Sequence, residues 1–159
     1  MTTILYDVQN ALLAADSMML CNGNSCMLVS TIKGRVLPDG SLVGWSGPNE
    51  DGQEWEEWMA LRCEHPDTPR PSFFEEGFGG LHLTTTGRLY KYETRHIACP
   101  ILEPFYAIGN GSDWAMAAMA CGKDIVEAMR LACRYSPFTQ PPIRVYSLKD
   151  PTHIVCYEA

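Results

Sequence analysis

The sequence has no cluster of lysine or arginine: its 12 basic residues are scattered among 19 acidic ones, for a formal net charge of −7. Nucleic acid and anionic membranes are bound through concentrated positive charge, so neither is expected as a partner. No stretch approaches the roughly 20 apolar residues of a membrane-spanning helix, and the N-terminus has neither the basic region nor the apolar run of a secretory leader. A cytoplasmic protein is therefore expected. Seven cysteines (Cys21, Cys26, Cys63, Cys99, Cys121, Cys133 and Cys156) occur at irregular spacing with no C-x-x-C pair. That excludes a zinc ribbon, which needs closer pairs, and argues against a secreted disulfide scaffold, which would be shorter and denser in cysteine. Most of the thiols are expected to be free and buried. His65, His82, His96 and His153 are never at ligand spacing from one another, so no metal site is expected and each histidine reads as structural or superficial.

What the chain does have is apolar content, 46% of its 159 residues, enough to bury a core in one domain over 1–159. Thr3 to Tyr6 reads as a strand, Asp7 to Asn10 as a turn, and Ala11 to Ala15 as a second strand with Asp16 at its end. Cys21 to Asn24 is a loop by its turn residues, and Met27 to Val29 and Lys33 to Leu37 read as extended. Pro38-Asp39-Gly40 is a hairpin turn leading into a strand over Ser41 to Trp45. Trp55, Trp58, Met59 and Leu61 recur at helical spacing between Asp51 and Cys63, which predicts an amphipathic helix ended by the proline-rich His65 to Pro71.

Gly80 to Thr85 and Arg88 to Tyr92 alternate with period two around Thr86-Gly87, as a second hairpin. Cys99 to Pro104 reads as an irregular connection and Phe105 to Ile108 as a short buried strand. Ser112 is expected to cap a helix that reaches Cys121 and is closed by Gly122. Asp124 to Glu127 has the acidic form of a capping box and opens a helix to about Tyr135. Ile143 to Leu148 and His153 to Tyr157 close the chain as strands. This order lacks the alternation of strand and helix, so it argues for an α+β layered domain and against a doubly wound parallel sheet.

Chemistry enters at the second residue. Removal of Met1 is expected before so small a side chain, and Thr2 would then carry a hydroxyl and a free α-amine, a nucleophile with its own base. Further along come Ala14-Ala15-Asp16-Ser17 after one hairpin, Lys33 just before the Pro-Asp-Gly turn, and Gly44-Trp45-Ser46-Gly47. Tyr106-Ala107-Ile108-Gly109-Asn110-Gly111-Ser112 then precedes a small-residue helix. In this order, and anchored on Thr2-Thr3-Ile4, the set resembles the proteasome β-subunit and HslV family of N-terminal-nucleophile (Ntn) threonine peptidases. The resemblance covers the first 47 residues and those from 105 to 148.

The resemblance implies a four-layer α-β-β-α sandwich with two antiparallel sheets, and it implies a mechanism. Thr2 would attack a peptide carbonyl and form an ester. Its α-amine, with an ordinary pKa of about 7.7–8.0, would accept the proton directly or through water. Lys33 would lie beside the hydroxyl and lower the pKa of both groups, and Asp16 would hold and pair Lys33. Gly47 would offer a backbone N–H to the oxyanion. Asn110 stands where the family has a small hydroxyl residue that supports the amine; its amide can still donate or accept a hydrogen bond. Trp45 takes the position that lines the family's specificity pocket, where an indole would favour small residues before the cleaved bond. Equally, Trp45 fills core. No metal or organic cofactor is implied. The implied partners are a peptide or unfolded protein as substrate, further copies of the chain as a homo-oligomeric ring around the active sites, and, by analogy alone, an ATP-dependent unfoldase.

Taken singly, each of these residues also has a structural use: Asp16 can satisfy loop amides, Lys33 can be a surface base, and Gly44 and Gly47 can serve a turn. Their order along the chain favours the functional reading. Two features depart from the family. Ser136 to Pro141 keeps a hydroxyl at Thr139 where many β-subunits carry D-x-x-S/T-G-G, and the middle of the chain offers one helix where family members usually have two. The resulting expectation is a threonine-type endopeptidase in a self-assembled complex. The alternatives are a catalytically inactive Ntn-fold ring-forming or binding module, favoured by a retained Met1, and an amidase acting on a small amide.

Overall fold

The computed structural model describes residues 2–19, 31–72 and 74–158. Met1, Cys21, Cys26 and the segments expected at Cys21 to Asn24 and Met27 to Val29 lie outside the described residues.

Two five-stranded antiparallel sheets form the centre. The first runs in the order β10 (Val155–Tyr157), β9 (Ile143–Ser147), β2 (Leu12–Ala15), β1 (Thr3–Asp7) and β8 (Phe105–Gly109). The second runs β3 (Gly34–Val36), β4 (Leu42–Ser46), β5 (Gly79–Leu83), β6 (Leu89–Tyr92) and β7 (Cys99–Ile101). β1 and β4 are buried along their whole length. Successive side chains of a strand point to opposite faces, so Ile4, Tyr6, Leu13 and Leu42 meet between the sheets, with Leu81, Leu83, Ile108 and Tyr146. Tyr6 ties the two sheets together, because its hydroxyl donates to the Leu81 carbonyl oxygen at 2.8 Å across the interface.

The opposite faces are covered by helices. α2 (Ser112–Ala120) and α3 (Ile125–Tyr135) pack on the first sheet against Leu5, Ala14, Ala107 and Val145. α1 (Asn49–Glu64) covers the second sheet through Trp55, Trp58 and Met59, which meet Val43, Trp45, Phe78 and Tyr92. The three apolar clusters are the three interfaces of an α-β-β-α sandwich, the layering expected from the sequence.

Local chemistry sets several boundaries. Asp124 Oδ1 accepts the Glu127 N–H at 2.8 Å, so the expected cap opens α3. Gly122 ends the preceding helix at φ +82°, a conformation that favours glycine. Three expectations need correction. Cys99 to Ile101 is a strand, not an irregular connection: among the described residues it is the edge of its sheet, pairing with β6 alone, and an edge tolerates Pro100, which has no N–H to donate. Ser112 is the first residue of α2, and the cap is Gly111, with no side-chain hydrogen bond. Among the described cysteines, Cys99, Cys121 and Cys156 are exposed and Cys63 and Cys133 half-buried, so the thiols are free but not deeply buried.

Candidate active site

The start of β1 is held from both sides. The Asn110 N–H donates to the Thr2 carbonyl oxygen at 2.9 Å. The strand comes so close here that a side chain on Gly109, at φ +93°, would put Cβ 1.8 Å from that oxygen. Only glycine fits. The Thr3 N–H donates to Asp16 Oδ1 at 2.9 Å, and the Gly111 N–H donates to Thr3 Oγ1 at 2.9 Å. Thr139 Oγ1 donates to Ser136 Oγ at 3.2 Å, so the 2.6 Å contact between Thr3 and Thr139 is made by the Thr3 hydroxyl as donor. A directed chain of hydroxyls thus fixes Thr3 on the helix side of the sheet, and Thr2, next along the chain, is placed on the side facing the second sheet.

Asp16, at the end of β2, is fully buried and fully used. Oδ1 accepts from the Thr3 N–H and lies 3.2 Å from Lys33 Nζ, and Oδ2 accepts the N–H groups of Met18 and Gln140, each at 3.1 Å. Lys33, directly before β3, also donates to the Met18 carbonyl oxygen. Burial pushes the Asp16 carboxyl above its usual range and the Lys33 ammonium below its own; their attraction, and for Asp16 the three backbone donors, oppose this. A carboxylate that accepts three N–H groups and an ammonium has little room for a proton of its own, so the pair is ionic. Ionisable groups perturbed in this way gather at functional sites, although structural ion pairs perturb them too.

Thr2, Lys33, Trp45, Gly47 and Asn110 all line one cleft of about 400 Å³ between the sheets and the start of α1; Asp16 stands behind Lys33. Six positions spread over 109 residues of sequence are therefore brought to one place. Gly47, at φ +114°, lets its backbone pass close to Gly77 and Phe78, where a Cβ would be 2.8 Å from backbone atoms of both. Trp45 lines the cleft and also belongs to the core: its ring packs on Gly52 of α1 while Nε1–H donates to Glu56 Oε2 at 3.1 Å. Cleft and core share this one side chain.

Two further residues brace the site. Arg144 on β9 donates to Ser17 Oγ at 2.5 Å and to the Thr31 carbonyl oxygen at 3.4 Å, and Ser17 donates to the Pro142 carbonyl oxygen at 2.6 Å. Ser17 follows Asp16 and Thr31 precedes Lys33 by two residues, so one guanidinium secures both approaches to the ion pair. An isolated arginine in a strand carries no local signal of this; the link depends on pairing between β2 and β9. Thr3, given no role of its own in the sequence, is the second such residue. Among the described residues, no group of three or more His, Cys, Asp or Glu side chains is placed to hold a metal ion, and no helix is long and apolar enough to cross a membrane.

No protein-family model and no curated protein matches the sequence. Solved structures do match the fold. HslV from Trypanosoma brucei is similar at a TM-score of 0.69 and 17% identity, covering 98% of this chain and 100% of that one. The Thiobacillus denitrificans protein BPH is similar at 0.60 and 14%, covering 91% of this chain and 95% of that one. The same protein in complex with epoxomicin is similar at 0.62 and 14%, covering 91% and 96%. The chain shares the fold of these proteins, two antiparallel sheets sandwiched between helical layers.

Proposed function

We propose that this chain is a threonine-type peptidase of the HslV and proteasome β kind, with Thr2 as its nucleophile once Met1 is removed. The observation that carries the reading is the buried Lys33–Asp16 pair opening, through Lys33, into the cleft that holds Thr2. A pair needed only for stability has no reason to present its cation to a cleft, and burying it is costly.

The steps follow from the residues. The α-amine of Thr2 takes the proton of Oγ1, directly or through one water, and the oxygen attacks the substrate carbonyl carbon. The oxyanion that forms is met by the Gly47 N–H, and Lys33 lowers the cost of negative charge at Oγ1. The C–N bond then breaks, the leaving amine departs with the transferred proton, and water hydrolyses the ester to free Thr2. Asp16 keeps Lys33 charged and fixed, while Asn110 holds the Thr2 backbone through its own N–H. The substrate is a peptide or an unfolded segment of protein, and Trp45 narrows the cleft in favour of small residues before the cleaved bond. Copies of the chain assemble into a ring around these clefts, a reading supported by the likeness to HslV.

A second reading has one observation in its favour. Asn110 stands in place of a hydroxyl residue, which suits a ring-forming or binding module that has lost catalysis. Cleavage of a fluorogenic peptide series separates the two. The processed protein is expected to cleave peptides with small residues before the bond, and Thr2→Ala and Lys33→Met to lose on the order of 10³-fold or more in rate with unchanged circular dichroism. Equal rates for wild type and Thr2→Ala, or no cleavage by protein shown to lack Met1, would favour the module.

A further inference from the structure

β8 is an edge strand, and its free side faces a second groove. In the first sheet it pairs with β1 alone among the described residues. The Asn110 N–H donates to the Thr2 carbonyl oxygen at 2.9 Å and the Val8 N–H to the Pro104 oxygen at 2.8 Å. These bonds close the ladder at its two ends, so Tyr106 and Ile108 between them direct their backbone groups to β1. Neighbours along an antiparallel strand alternate in this respect, which turns the N–H and C=O of Ala107 and the N–H of Gly109 to the other side. None of these three groups bonds elsewhere among the described residues. The strand's own side chains turn away from that edge, Ala107 toward the helices and Tyr106 and Ile108 toward the second sheet.

The groove beside this edge has a volume of about 490 Å³, with Ala107 and Gly109 facing Gly77, Phe78 and Gly79 of the second sheet's side. It is continuous with the cleft: Ser46, Gly77 and Gly109 line both, whereas Thr2, Lys33 and Trp45 line the cleft alone. Glycine keeps the passage open. A side chain on Gly79 would begin 3.5 Å from Ile108 Cδ1 and from Ser46 Oγ, which both line the groove, and would fill it. The groove's one ion pair, Lys91 with Glu93 at 2.8 Å, is spent on itself, and Glu76 is exposed to solvent. What the groove offers a ligand is chiefly backbone.

We propose that the groove holds the leaving segment of a polypeptide substrate as a strand added to β8. The proposal rests on the reading of Thr2 as nucleophile with Trp45 beside the residue before the cleaved bond, which leaves the groove to the residues after it. A chain running from Gly109 toward Tyr106 is antiparallel to β8, and a substrate residue opposite Ala107 donates to its carbonyl oxygen and accepts its N–H. The four strand residues that line the groove span roughly 13 Å, so three or four residues after the bond are held. Recognition through the backbone serves polypeptides of any sequence. A small amide has no such segment to bind.

Two peptide series on the processed protein test the groove. One ends in an aminocoumarin directly after the cleaved bond; the other continues one to six residues beyond it and is internally quenched. The expected kcat/KM rises about tenfold or more over the first four residues and then levels off, each hydrogen bond contributing roughly two- to tenfold. A single N-methyl group placed in turn on the second, third and fourth residues after the bond should cost about fivefold at alternate positions only. Cleavage of the aminocoumarin peptide with no gain from extension, or equal effects of N-methylation at neighbouring positions, would overturn the added strand and leave the peptidase reading standing. No cleavage of either series contradicts the reading of Thr2, and photolabelling still decides the groove. Thr2→Ala protein, with the same extended peptide carrying a diazirine side chain on the third residue after the bond, is expected to be labelled within residues 77–79 or 105–109. Labelling only elsewhere, as where a second copy of the chain covers β8, or no labelling, would overturn the proposal.

Discussion

The two outer faces of the sheet pair are covered in opposite ways. Over the first sheet, two helices pack through Ala115, Ala118, Ala128 and Ala132 onto Ala14 and Ala107. Over the second, one helix among the described residues packs through Trp55 and Trp58, with Trp45, Phe74, Phe78 and Tyr92 filling the space around it. One helix is about 10–12 Å across with its side chains, too narrow for five strands spaced about 4.8 Å apart, so bulky side chains widen the cover that it gives. The difference also divides labour at the cleft. Small residues let the α2–α3 layer approach closely: a Cβ on Gly111 would lie 2.5 Å from the hydroxyls of both Thr3 and Thr139. That closeness is what anchors the start of β1. The aromatic layer holds nothing at the N-terminus; it supplies a wall, Trp45, and the helix that leads away from the cleft.

If the small-residue side is the anchoring side, its polar centre should be among the most costly points to disturb. Asp16→Ala would leave Lys33 charged and buried beside three unpaired N–H groups, and a loss of about 3–5 kcal/mol is expected in urea unfolding. Asp16→Asn should cost less, because its amide oxygen still accepts. The packing of the two layers should respond in opposite senses. Trp55→Ala empties the aromatic layer and is expected to cost about 3–5 kcal/mol, while Ala128→Leu overfills the other and should cost about 1–3 kcal/mol. A tolerant Trp55→Ala, or an Ala128→Leu that stabilises, would erase the contrast.

The last expected effect is one of pH and belongs to the aromatic side. His82 on β5 lies 2.9 Å from Ser41 Oγ, and burial holds its pKa down to about 4 from an ordinary 6.5. Folding favours the neutral ring, so the stability is present above pH 6.5 and is lost as pH falls toward 4, by at most about 3 kcal/mol. Comparing unfolding of wild type and His82→Gln between pH 7 and 4.5 isolates this. Parallel pH curves would remove His82 as the source.

How much of this is legible in the sequence depends on the range of the interactions. The hairpin turns at Gly40 and Gly87 and the cap at Asp124 are local, and the structure has them where the residues call for them. That Thr2, Lys33, Trp45, Gly47 and Asn110 come to one cleft, with Asp16 behind Lys33, is legible as a set because they follow one another in order from Thr2. What stays hidden is long-range. The pairing of Thr3 with Thr139 spans 136 residues, and Arg144 reaches Ser17 across 127. Pro100 reads as a break because its place at a sheet edge is fixed only by β6.

The central claim is that Thr2 is a nucleophile with a free α-amine, and intact mass tests it most directly. The purified protein would be weighed before and after incubation with a threonine-directed β-lactone, with Thr2→Ala treated in parallel. The expected result is a chain lacking Met1 that gains one adduct mapped to Thr2, with no adduct on the variant. A chain that keeps Met1, or a processed chain that never reacts, would contradict the account and leave the fold serving as a ring-forming or binding module.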